Sequence, residues 1–82
     1  MQRTVTSRAE WTGAFAAALN VTDLSEEEVE ALLGLAGEAA HASERTTAPL
    51  ACWLAAKSGL SAQQALDVAR GLRAGLGGAG AP

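Results

Sequence analysis

Three copies of one local pattern, Ser-x-x-Glu or Ser-x-x-Gln, constrain this 82-residue chain more than any other feature. Ser7 precedes Glu10, Ser25 precedes Glu28, and Ser61 precedes Gln64. In such a capping box the serine oxygen accepts an orphan amide of the first helical turn, and the longer side chain reaches back to the serine amide. Each copy therefore marks a helix start. Behind the first, Trp11, Ala14, Phe15, Ala18 and Leu19 fall on one helical stripe, and Asn20 is suited to the left-handed stop. Behind the second, Glu26, Glu27 and Glu28 favour the positive end of the helix dipole, and Leu24 and Val29 occupy hydrophobic-staple positions. Val29, Leu32, Leu33, Ala36 and Ala40 then recur at helical spacing to about Ser43.

A further helix follows Arg45-Thr46-Thr47-Ala48. Pro49 belongs in its first turn, where a missing amide costs nothing, with Thr47 or Ala48 at the cap. Leu50, Trp53 and Leu54 are its expected buried side, and Gly59 its end. The last helix is expected to bury Ala62, Ala65, Leu66, Ala69 and Leu72, with Leu76 next on the same stripe. No segment alternates with period two. The expected fold is all-α: a small four-helix antiparallel bundle over residues 7–74, with a disordered segment at 1–6 and a flexible glycine-rich tail at 75–82.

The core of such a bundle is thin. Alanine occurs 20 times, while the large apolar residues are eleven Leu, four Val, two Trp and one Phe. Alanine faces let helices approach closely, but each buries little surface. Below about 80 residues one core seldom supplies more than about 3–5 kcal/mol. Association with a second copy or a larger protein relieves that shortage, and is the expected mode of action.

Charge and chemistry narrow the remaining classes. Residues 10–44 hold eight acids and no Lys or Arg, and the net charge is −3. Nucleic-acid binding needs clustered cations, so none is expected. The uncharged runs of the patterned region, Trp11 to Thr22 and Thr46 to Ala56, are too short to span a bilayer. The N-terminus shows no apolar secretory core, so the expected location is cytoplasmic, with no membrane association. One Cys and one His allow neither an internal disulfide nor a self-contained zinc site, and no cofactor is expected. Alanine and glycine abound, while Ile and Tyr are absent, which matches a GC-rich bacterial source.

Few motifs carry chemistry. Gly75-Leu76-Gly77-Gly78-Ala79-Gly80 has dinucleotide-loop spacing but follows a helix instead of opening one, so it is rejected. Cys52 lacks a second thiol and an obvious base, and reads as a small core or interface residue. Glu38, His41 and Arg45 are the polar set of interest. They fall on one strip if the second helix persists, with Pro49 just beyond. A carboxylate there can orient the imidazole and the guanidinium can hold an anion; the alternative is a helix end whose cations satisfy the last carbonyls. Trp11, Phe15, Cys52 and Trp53 are the candidates for an interface or a ligand pocket.

The segment Leu35-Ala36-Gly37-Glu38-Ala39-Ala40-His41-Ala42-Ser43-Glu44-Arg45-Thr46-Thr47-Ala48-Pro49-Leu50, continuing to Gly59, resembles a small actinobacterial helical family of unassigned function. The shared pattern is a tryptophan-led first helix, Ala-His-x-x-x-Arg, then Ala-Pro-Leu; Thr46 stands where that pattern has proline. Members stand alone or are joined to molybdenum-cofactor guanylyltransferases. The resemblance implies no catalytic residues. It points to His41, Arg45 and Pro49 as positions of interest, and to molybdenum-cofactor maturation as a setting.

The leading expectation is a non-enzymatic helical interaction module. The alternatives are an accessory to molybdenum-cofactor guanylyl transfer, and a small-molecule binder whose interior is walled by Trp11, Phe15 and Trp53.

Overall fold

A computed structural model describes residues 6–75. Among them are four helices and no strand: α1 (Arg8–Leu19), α2 (Glu26–Ala42), α3 (Thr47–Ser58) and α4 (Ala62–Arg73). The expected all-α fold is the observed one. Residues 1–5 and 76–82, which hold most of the expected disordered segment and glycine-rich tail, lie outside the described residues.

All three capping boxes form. The Glu10 amide donates to Ser7 Oγ and the Ser7 amide to Glu10 Oε1, both at 3.0 Å. Ser25 with Glu28 and Ser61 with Gln64 close the same loop at 2.9–3.1 Å. Asn20 ends α1 in the left-handed region at φ 62°. The amides of Asn20 and Val21 donate back to the carbonyls of Ala17 and Ala16, the pairing that satisfies orphan carbonyls at such an end. Gly59, at φ 80°, ends α3 in the conformation that glycine adopts without a side-chain clash.

The start of α3 corrects the expectation. Its cap position is Thr46, one residue before the nearer candidate, and no side chain caps it. A turn supplies the bonds instead: the Thr47 amide donates to Glu44 O and the Ala48 amide to Arg45 O. Pro49 still lies in the first turn, where an amide has no helical partner.

α2 is the centre of the packing, with α3 and α4 laid against it and barely touching each other. Gly34 faces Leu66, and one turn later Glu38 meets Arg70 and Arg73. Ascending numbers pair, so α4 runs parallel to α2. The Ser43–Thr46 connection reverses the chain between them, so α3 runs against both. The core is Ala31, Leu35, Ala65 and Leu66, ringed by half-buried Leu32, Ala51, Cys52, Ala55, Ala62 and Ala69.

That core differs from the expected one in which faces turn inward. α3 presents its small residues, Ala51, Cys52 and Ala55, to the core and turns Leu50, Trp53 and Leu54 outward. In α2 the fully buried residues are Ala31 and Leu35; of the expected stripe, Val29, Leu32, Ala36 and Ala40 are half-buried and Leu33 is half exposed. Leu72 of α4 is exposed as well. The cause is close approach: a helix packed through alanine brings backbones together and gains more dispersion contacts than its side-chain volume suggests. α1 lies apart from this unit. It has no extensive packing on α2–α4, and its one buried residue is Ala16, covered where the chain turns back at Val21. Its expected inward stripe, Trp11, Phe15 and Leu19, is exposed.

Candidate functional site

The polar set at the exit of α2 divides in two. Glu38 is partly buried and belongs to the packing between α2 and α4. Arg73 Nη1 donates to Glu38 Oε1 at 2.9 Å, and Arg70 Nε stands 3.8 Å from Oε2. Both arginines sit in the last turn of α4, where positive charge also offsets the negative end of the helix. Glu38 is thus held by α4 and not by His41 or Arg45.

His41 occupies the last turn of α2, and Arg45 lies in the turn beyond it; both are exposed. Among the described residues neither side chain makes a hydrogen bond or an ion pair. The turn is held by Thr47 Oγ1 donating to Ser43 Oγ at 3.1 Å and by its own backbone bonds. Pro49 follows, exposed, in the first turn of α3. This end of the molecule presents a guanidinium and an imidazole without a fixed anion, so it can accept a carboxylate or a phosphate at the surface. Among the described residues no three of His, Cys, Asp and Glu gather as a metal-ligand set.

The aromatic candidates all face outward. The rings of Trp11 and Phe15 lie 4.9 Å apart at 34°, on the exposed stripe of α1. Trp53 is 70% exposed on the outer face of α3. None of them walls the interior of α2–α4, which is filled by Leu35, Leu66 and alanines. Cys52, the neighbour of Trp53 on α3, packs against that interior, and burial pushes its thiol pKa up. A raised thiol pKa disfavours the reactive thiolate.

Two features escaped the sequence. One is the Arg70–Arg73 pair on Glu38; its signal is the i, i+3 spacing of two cations at a helix end, but their partner is far off in sequence, 35 residues from Arg73. The other is an open groove of about 540 Å³ between α1 and the first half of α2. Arg8 and Thr12 line it from α1, Asp23 and Leu24 from the connection, and Glu26, Val29, Glu30 and Leu33 from α2. Leu24 and Val29, the expected staple pair, both line this groove.

No curated protein and no solved structure matches this chain. A family model does match residues 3–81, almost the whole length, and agrees with the expected membership of a family without an assigned function: the chain belongs to the family described as Domain of unknown function (DUF6457).

Proposed function

We propose that this chain is a non-enzymatic helical interaction module that associates with a second copy or with a larger protein. One observation carries the reading. Among the described residues five hydrophobic ones are buried, three of them alanine, while twelve large apolar side chains are between 43% and 70% exposed. Single exposed leucines are ordinary, but an outward majority of the large apolar residues marks an interaction surface. Sedimentation and thermal melts of the full chain test it. Self-association at micromolar concentration, or a low melting temperature raised by a captured protein, is the expected result. A monomer that is stable to heat and unchanged by dilution overturns it.

A second reading is an accessory role in molybdenum-cofactor guanylyl transfer. It is supported by the resemblance of residues 35–59 and by His41 and Arg45 at the exit of α2, which have no ion-pair partner among the described residues. Its test is binding to a molybdenum-cofactor guanylyltransferase, lost in Arg45→Ala; equal binding by the variant removes the role of this residue. A cytoplasmic setting in a GC-rich actinobacterium completes both readings, supported by composition and resemblance. No described helix is long and apolar enough to cross a membrane.

A further inference from the structure

The outer face of α3 and the groove between α1 and α2 complement each other. Leu50, Trp53 and Leu54 are 64%, 70% and 64% exposed, and Lys57 continues the same face one turn further on. α3 contains no acid. The groove combines apolar Val29 and Leu33 with Asp23, Glu26 and Glu30, three carboxylates against the single cation Arg8. Among the described residues none of these carboxylates has an ion-pair partner. One surface is apolar with a cation, and the other is apolar with an excess of anions.

Building on the self-association reading, we infer that the outer face of α3 of one copy seats in the α1–α2 groove of a second copy, reciprocally about a twofold axis. Trp53 fills the groove, and Lys57 faces Glu30 of the other copy. A twofold contact of this kind is self-complementary, so both unpartnered surfaces are covered at once. The contact joins five of the twelve exposed large apolar side chains of each copy, Leu50, Trp53 and Leu54 of α3 with Leu24 and Leu33 of the groove, on the order of 500 Å² of apolar surface. Interfaces are little more than half apolar by area, so with its charged rim the contact reaches the roughly 800 Å² per partner of a standard interface. Opposite charges at the rim fix register, and a central tryptophan supplies most of the affinity.

Sedimentation equilibrium of the full chain tests the contact. The wild type is expected to be a dimer. Trp53→Ala raises its dissociation constant at least tenfold, with an unchanged far-ultraviolet spectrum because Trp53 packs little within its own chain. Lys57→Glu and Glu30→Lys each raise it several-fold, and the chain carrying both reversals returns towards the wild-type value. If Trp53→Ala alters the fold, the charge-reversal cycle still decides. A dimer indifferent to all these changes overturns the docking geometry and leaves the interaction-module reading standing. A wild-type monomer overturns the docking; if that monomer also resists heat, the broader reading falls with it.

Discussion

Gly34 and Leu66 mark the closest approach of α2 to α4. A Cβ on Gly34 would stand 3.2 Å and 3.3 Å from the two methyls of Leu66, which is 4% exposed and has little room to move. Gly37, one turn on, has nothing within 4 Å of the same position. Replacing glycine by alanine inside a helix gains about 0.5–1 kcal/mol of backbone entropy, while overpacking a core costs about 1–3 kcal/mol. Gly37→Ala is therefore expected to raise the midpoint of urea unfolding, and Gly34→Ala to lower it. Equal gains from both would mean that the α2–α4 contact is looser than this geometry. Cys52 gives a second prediction at the same scale. Its thiol pKa is raised above the ordinary 9.0 by burial, so the unfolded chain loses this proton first as pH rises. Its contribution is then complete below the unfolded pKa and declines above it. Stability should fall as pH rises through the thiol range, and Cys52→Ala should flatten that fall. Identical pH profiles for the two proteins would show that the Cys52 environment contributes nothing.

The helices themselves are written locally. Each capping box joins residues three apart, so both partners are visible in a short window of sequence, and all three form. Which face of each helix turns inward is not local. Reading the largest apolar residues as buried placed Leu50, Trp53 and Leu54 inside, whereas α3 packs through Ala51, Cys52 and Ala55. The pattern of α3 holds a large-residue face and a small-residue face, and only the surface of α2 decides between them. The candidate site was legible to the same extent. His41 and Arg45 are exposed at the end of α2, but Glu38 is claimed by α4 through a contact of long sequence separation. This division makes a testable contrast. Glu38→Ala frees two arginines and loosens α2 from α4; with the arginines about half exposed, the loss should be about 1 kcal/mol or less and shrink in high salt. A loss that high salt leaves intact would show packing, not charge, to be the source. His41→Ala and Arg45→Ala touch no fixed partner and should each shift stability by less than about 0.5 kcal/mol. A loss of about 3 kcal/mol from Arg45→Ala would make it a buried structural charge.

For the whole molecule, the decisive quantity is the imbalance between what is buried and what is displayed. Among the described residues Leu35 and Leu66 are the large side chains of the central cluster, each worth about 1.5–3 kcal/mol against exposure. α1 adds Ala16 alone, and its Trp11, Phe15 and Leu19 stripe remains in water. A chain built this way gains by covering its surface, and its folded state is then linked to its own concentration. Dimer unfolding to two chains makes that linkage quantitative. Each tenfold rise in concentration adds about 1.4 kcal/mol per dimer, or half of that per chain. A domain of this size shifts its melting temperature by roughly 4–8 °C per kcal/mol. The melting temperature should therefore climb by about 3–6 °C for each tenfold rise in protein concentration, measured by calorimetry from low to high micromolar. Trp53→Ala should flatten this dependence while leaving the melt at the lowest concentration nearly unchanged, because the residue contributes across the interface and little within the chain. A melting temperature that ignores concentration in the wild type would place the stabilising contacts inside the monomer, and the exposed apolar faces would then need a different partner to explain them.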